Sequence, residues 1–205
     1  MSTFRNLLLA KSQRSDISYI PHSYLVGDGV AYIDTLSVLD SDTDICVEYV
    51  TTVGGSLAIF GVGSYASKNA YELNSFSTIT LDFGGLRTPQ LPVAAKLRIK
   101  GEGLYIDDVF FKNLKNSNFS HTNSFYIFRS RSRRGKAGTK IARFTISKND
   151  VLVRDFIPCE LSSNIPASVA SDSTAHRRGE LGMWDLVNQV FYADASHAGT
   201  FSVED

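Results

Sequence analysis

The densest charge in the chain is Arg129-Ser130-Arg131-Ser132-Arg133-Arg134-Gly135-Lys136. Arg129, Arg131, Arg133, Arg134 and Lys136 could together attract an anionic partner: nucleic acid, an acidic glycan, or the acidic face of a neighbouring subunit. The competing reading is a solvated hairpin tip between strands at 125–129 and 141–147. Aromatic residues precede the run but do not interleave with it, which argues against single-stranded nucleic acid. The hairpin tip ranks first and a subunit interface second, and nucleic acid is not expected as a partner.

The acids are less suggestive. Asp40-Ser41-Asp42-Thr43-Asp44 copies the start of a calcium loop, but Ile45 stands where the sharp turn needs glycine and Thr51 where a bidentate Glu belongs. A hydrated turn is expected, and no metal. Glycoside hydrolysis needs two carboxylates across the scissile bond. None of Glu48, Glu72, Glu102, Glu160, Glu180 and Glu204 is paired with another acid at same-face strand spacing in an aromatic context. Asp107 and Asp108 are adjacent, so on one strand they would face opposite ways. A hydrolase would need carboxylates gathered by folding, with Glu102, Asp107 and Asp108 as the set to test.

His22, His121, His176 and His197 stand in turn-like contexts without metal spacing and read as surface residues. There is no nucleophile elbow and no phosphate-cradling glycine loop. Cys46 and Cys159 lack ligand spacing; neighbouring buried thiols are expected, with a disulfide the alternative. No catalytic residue and no cofactor is assigned, and the chain reads as non-enzymatic.

The elements that must hold these residues are strands. In 205 residues, 43% apolar with thirteen Phe and nine Tyr, there is enough for one large all-β domain. Ile45, Val47, Tyr49 and Val53 share one face of a strand. In 93–100, Val93, Ala95, Leu97 and Ile99 face one way and Lys96, Arg98 and Lys100 the other, so that strand has one wet face. Further strands are expected at 57–60, 78–83, 104–111, 125–129 and 141–147, and Gly27-Asp28-Gly29 marks a turn. Lys148-Asn149-Asp150 between β-branched runs predicts a tight hairpin. Many short strands with Gly-rich turns argue for an antiparallel two-sheet sandwich or jelly roll.

Residues 2–15 form the one expected helix, with Phe4, Leu7 and Leu8 on a face and Arg5, Lys11 and Arg14 around it. It is too short to be stable alone. Docking on its own domain and anchoring to another chain carry equal weight; in the second case Phe4, Arg5, Leu7, Leu8 and Leu9 form the attachment segment. The apolar core there is too short for a secretory signal, and no run is long enough for a membrane span. Net charge is zero but unevenly arranged: 28–48 holds six acids and no base, whereas 109–149 holds ten Lys or Arg and no acid. Such blocks can pair within the fold or between subunits. Trp184 and Tyr192 could stack on a sugar, but their apolar neighbours favour core packing.

Four stretches carry a resemblance. Tyr24-Leu25-Val26-Gly27-Asp28-Gly29-Val30-Ala31-Tyr32-Ile33-Asp34-Thr35 resembles the YLESDGTQYIDTG opening of concanavalin A-like, laminin-G-like jelly rolls of gut bacteria and their phages. Residues 149–159 (NDVLVRDFIPC) resemble that group's NGVLVRDFIPC, and 182–192 (GMWDLVNQVFY) its GMYDLVTGKFY. Residues 193–201 (ADASHAGTF) are similar to TNAGTGTF. The match brackets 19–203 with a weak middle. Trp184 replaces the usual Tyr, and 164–178 is a longer Ser/Ala-rich loop. Arg154, Asp155, Trp184 and Asp185 are expected to fix core and turns.

The resemblance implies a concanavalin A-like jelly roll over 17–205 with an attachment segment, helix or extended arm, at 1–16. It further implies a virion structural protein of a bacteriophage: a head-fibre, decoration or tail-associated subunit. Such a part is assembled in the host cytoplasm without a secretion signal. Expected partners are other virion proteins, further copies in a homo-oligomer (a trimer by analogy with fibres), and a cell-surface glycan. The alternatives are a free-standing carbohydrate-binding module and, last, a glycoside hydrolase.

Overall fold

A computed structural model describes residues 17–40, 42–62, 71–83, 86–114 and 120–205. The expected helix or arm at 1–16 lies outside these residues. The strands run β1 Tyr19–Pro21, β2 Tyr24–Gly27, β3 Ile33–Asp40, β4 Thr43–Val50, β5 Leu57–Val62, β6 Tyr71–Ser75, β7 Ile79–Phe83, β8 Leu86–Arg87 and β9 Ala94–Lys100. They continue with β10 Gly103–Ile106, β11 Val109–Asn113, β12 Ser120–Ile127, β13 Thr139–Lys148, β14 Val151–Leu161, β15 Leu181–Asp185, β16 Val190–Tyr192 and β17 Phe201–Glu204.

They form two antiparallel sheets packed as a β-sandwich. The larger, of eleven strands, runs β11-β10-β9-β4-β13-β14-β15-β16, with β1 beside β14 and β2 joining β13 to β17. The smaller runs β3-β12-β5-β6-β7-β8. Alternation explains most of it: Ile45, Val47 and Tyr49 of β4 and Leu97 and Ile99 of β9 point between the sheets, where Phe60, Phe125 and Phe144 meet with ring centroids 5.5–5.6 Å apart.

Two turns are set by residues that tolerate the left-handed backbone. Asn149 (φ 50°) and Asp150 (φ 61°) join β13 to β14 with Lys148 opposite Val151, which is the expected hairpin. Asp107 (φ 50°) and Asp108 (φ 64°) do the same between β10 and β11. The stretch expected as one strand at 104–111 is therefore a hairpin, and its two aspartates are turn residues rather than opposite faces of a strand.

Outside the large sheet lies a second apolar cluster. Trp184, Ile157, Cys159, Leu161 and Phe191 pack under the 162–180 segment through Ile165, Val169 and Ala170. Tyr19 stacks on Trp184 at 5.1 Å. The core role expected for Trp184 and Tyr192 therefore holds, with both rings buried. The cysteines are thiols rather than a disulfide, as expected, but they are not neighbours. Both are free thiols, Cys159 in this second cluster and Cys46 half-buried on β4, two strands away.

Two histidines also depart from a surface placement. His121 and His176 are buried. His176 lies between Asp172 at 3.0 Å and Glu180 at 2.7 Å, which ties the 162–180 segment to itself. Burial pulls the imidazole pKa down, but the two carboxylates outweigh it and leave it raised.

Candidate binding face

The arginine-rich segment folds back on the outer side of β6 and β7 instead of standing free. Glu72 and Asp82 face each other across these strands, both buried, with Asn74 opposite Thr80. The Ser130 hydroxyl donates to Glu72 Oε1, and Arg133 Nε sits 3.5 Å from Glu72 Oε2. Arg87 donates to both oxygens of Asp82, at 2.8 and 3.0 Å, and Asn74 donates to Asp82 at 3.0 Å. Arg133 and Arg87 guanidinium carbons lie 4.7 and 5.0 Å from the Phe76 ring centroid. Burial pushes the Glu72 carboxyl pKa up, opposed by the Ser130 hydrogen bond and the Arg133 charge.

The other basic residues of the segment divide. Arg129 lies over Tyr32 at 4.6 Å and near Tyr126 at 5.9 Å, and Lys136 donates to the Gly54 carbonyl at 3.2 Å. Arg131 and Arg134 point into solvent. Three of the five expected contact residues are thus engaged within the chain, and two remain exposed. Phe4, Arg5, Leu7, Leu8 and Leu9 lie outside the described residues.

The patterned stretches at the two ends of the chain close on each other. Asp28 accepts hydrogen bonds from Val30, Ala31 and Thr200 N–H groups at 2.7–2.8 Å. Asp194 accepts from Tyr32, Ser196 and Gly199 N–H groups at 2.9–3.0 Å. Asp185, fully buried, takes the N–H groups of Asp155 and Val187 and lies 3.6 Å from Arg154. A Cβ on Gly199 would fall 2.1 Å from the Ala31 nitrogen, so only glycine fits that approach. These residues do structural work, as expected of Arg154, Asp155, Trp184 and Asp185.

The open polar surface is elsewhere, on the outer face of the large sheet. Register places Asp155, Thr145, Cys46, Arg98, Tyr105 and Phe110 opposite one another on β14, β13, β4, β9, β10 and β11. Five inter-strand steps make this row roughly 24 Å long. Beside it runs Arg143, Glu48 and Lys96. A depression of about 130 Å³ is lined by Asp44, Ile45, Cys46, Lys96, Arg98, Thr145 and Ser147.

The ends of this face are fastened. Arg143 grips Asp155 through two hydrogen bonds of 2.7–2.8 Å, Lys96 bonds Asp108 at 2.8 Å, and Lys100 pairs with Asp150. Among the described residues, nothing accepts a hydrogen bond from the Arg98 guanidinium. Burial pushes the Cys46 thiol pKa up despite nearby Lys96 and Arg98, so it stays protonated at neutral pH. The arrangement offers cations, hydroxyls and an aromatic rim. It suits binding through hydrogen bonds and charge more than nucleophilic attack.

The carboxylates considered for hydrolysis are not gathered. Glu102 lies in the turn before β10, and Asp107 and Asp108 in the turn after it. Asp107 accepts the Lys96 N–H at 2.8 Å and Asp108 takes the Lys96 ammonium. In the acidic turn, Asp40 accepts from Thr43 at 2.8 Å and pairs with Lys148 at 2.6 Å. Sequence reading found the wet side of β9 but missed its neighbours Asp44, Cys46, Tyr105, Thr145 and Ser147. The polar positions of β4 and β13 carry the same alternation, and only strand order puts them beside β9. Compared with known proteins, the chain matches no family model, no curated protein and no solved structure.

Proposed function

We propose that this chain is a non-enzymatic binding module of a phage virion, a head-fibre, decoration or tail-associated subunit. It is built on a concanavalin A-like jelly roll and meets its partner through the outer face of the large sheet. The observation that carries the binding role is the row from Thr145 through Cys46 and Arg98 to Tyr105. It is polar and accessible, flanked by the Arg143–Asp155 and Lys96–Asp108 ion pairs, and among the described residues nothing accepts a hydrogen bond from Arg98. The four stretches that resemble phage and gut-bacterial jelly rolls support the virion setting, and their ties through Asp28 and Asp194 support a shared way of closing the sandwich. Residues 1–16 are the proposed attachment segment, and Arg131 and Arg134 a secondary contact.

The second reading, a carbohydrate-binding module, is favoured by one feature. Tyr105 flanks Arg98, and its ring meets Phe110 edge-on at 5.7 Å, an apolar rim beside hydroxyls that suits the face of a sugar.

The test uses the full chain on a glycan array and in pull-downs from a lysate of phage-infected cells. Virion proteins retained by the wild type and lost with Arg98→Glu support the first reading. Saturable glycan binding lost with the same variant supports the second. Retention unaffected by Arg98→Glu removes this face, and turnover of any array glycan overturns the non-enzymatic reading.

A further inference from the structure

We propose that the 162–180 segment is a strap latched by the protonated His176 ring, and that it loosens over the Trp184 cluster as pH rises. The strap is a closed loop between β14 and β15. Its ends meet where the Leu161 N–H donates to the Glu180 carbonyl at 3.0 Å and the Gly179 N–H to the Leu161 carbonyl at 2.7 Å. Further in, Ile165 and His176 exchange backbone hydrogen bonds of 2.9 and 3.2 Å. The Ser171 N–H ties the far turn to β16 through the Phe191 carbonyl at 2.9 Å. Beneath, Ile165, Val169 and Ala170 pack on Cys159, Trp184 and Phe191, the last three fully buried.

Among the described residues, both ion pairs of the strap are made by one ring. His176 Nδ1 lies 2.7 Å from Glu180 Oε1, and Nε2 lies 3.0 Å from Asp172 Oδ1. An ionised carboxylate only accepts, so both contacts are hydrogen bonds only when both ring nitrogens carry a proton. The neutral ring has one N–H and sets a lone pair against the other acid. Backbone holds both acids in place: Glu180 Oε2 accepts the Arg177 N–H at 3.2 Å, and Asp172 Oδ1 the Thr174 N–H at 2.9 Å. Asp172 and Glu180 are the charges that act on the ring. From β16 it meets the Phe191 ring at 5.3 Å, and from the start of the strap the Ile165 backbone, while Arg177 and Arg178 are exposed. Burial lowers the imidazole pKa, and the two carboxylates outweigh it. An opened strap leaves an ordinary solvated histidine. Opening is therefore hardest below about pH 6.5 and becomes easier as pH rises through the closed-state value. Losing one charge-assisted hydrogen bond makes opening roughly tenfold or more frequent. The inference does not depend on what the outer face binds.

Cys159 reports the opening, because a buried thiol reacts only when its cover lifts. The test uses the full chain carrying Cys46→Ser and the uncharged reagent methyl methanethiosulfonate. Rates are divided at each pH by those of an unstructured cysteine peptide, which removes the ionisation of the thiol itself. The corrected rate is expected to be flat below about pH 6 and to rise roughly tenfold or more in alkali. It should change little in low urea, the mark of local release rather than global unfolding. In Glu180→Gln the amide can donate to Nδ1 while the Nε2–H stays on Asp172. A neutral ring then keeps both contacts, and most of the pH dependence should vanish. His176→Gln should label fast at every pH. A flat wild-type profile, an undiminished rise in both variants, or a steep urea dependence overturns the proposal.

Discussion

The two sheets carry polar outer faces of similar composition and opposite fate. On β6 and β7, Glu72, Asn74, Thr80 and Asp82 are buried beneath Arg133, Ser130 and Arg87. On β9, β4 and β13, Asp44, Cys46, Lys96, Arg98, Thr145 and Ser147 border an accessible depression. The difference is what covers them. The 128–136 segment folds over the first face and sets Arg133 against Glu72, while Arg87 of β8 holds Asp82, so that charge serves the fold. The second has no such cover among the described residues, and its charges can meet a ligand.

That contrast predicts a large difference in mutational cost. Arg133→Ala leaves the carboxylate of Glu72 buried without its cation, which should destabilise the protein by roughly 3 kcal/mol in urea denaturation at pH 7. Adding Glu72→Gln should recover much of that loss, because the stranded charge is gone. The pH dependence has a definite sign. A carboxyl whose folded pKa is raised opposes folding above its unfolded pKa, and that cost is relieved as pH falls through the folded value. The Arg133→Ala deficit should therefore narrow on acidification. A deficit that stays constant with pH would show that Glu72 is not its source.

Gly135, in the same covering segment, should come next. A Cβ there would lie 2.1 Å from the Phe128 carbonyl oxygen, so Gly135→Ala must shift backbone and should cost about 1–3 kcal/mol. Gly138, a few residues on, has a positive φ (76°) but open space around its Cβ, so alanine there should cost only its backbone strain, about 1 kcal/mol. Equal melting temperatures for the two variants would contradict the close fit of the segment.

His176→Gln should cost roughly 1–2 kcal/mol through two lost charge-assisted hydrogen bonds, within a limited pH window. The raised histidine contributes fully below its unfolded pKa near 6.5, and the contribution fades as pH rises through the folded value. Asp172 is held low by the Thr174 N–H and His176, against burial, so its share is present above about pH 3.9 and fades as pH falls through its folded value. The wild type's advantage should thus peak between about pH 4 and 6.5. Melting curves across pH would show it, and a flat difference would contradict it.

The smallest effect belongs to the open face. Arg98→Ala should change stability by less than about 0.5 kcal/mol, because nothing in the described chain accepts its hydrogen bonds. A large loss of stability would mean that the second face is structural too.

Much of the sandwich was legible because one wet face and one dry face leave a period of two in the sequence. The strands β4, β9 and β13 and the Asn149-Asp150 turn show it. β6 carries the same alternation in Tyr71-Glu72-Leu73-Asn74 but was passed over, and only the fold shows that its polar side is as buried as its apolar one. The 104–111 stretch misled because aspartates at a two-residue turn can also be read as part of a strand.

The amino-acid order alone determined which segments are strands, the core side of β4 and β9 and the Asn149-Asp150 turn, since each depends on spacing within a few residues. The closing ties of Asp28 to Thr200 and of Asp194 to Tyr32 span more than 160 residues and needed the fold. The order marked 129–136 as basic, but burial depends on residues far off in the chain. Glu72, 58 residues before Ser130, decides that Arg133 turns inward. The candidate face likewise exists only in the folded molecule, because β4, β9, β10 and β13 become neighbours through strand order.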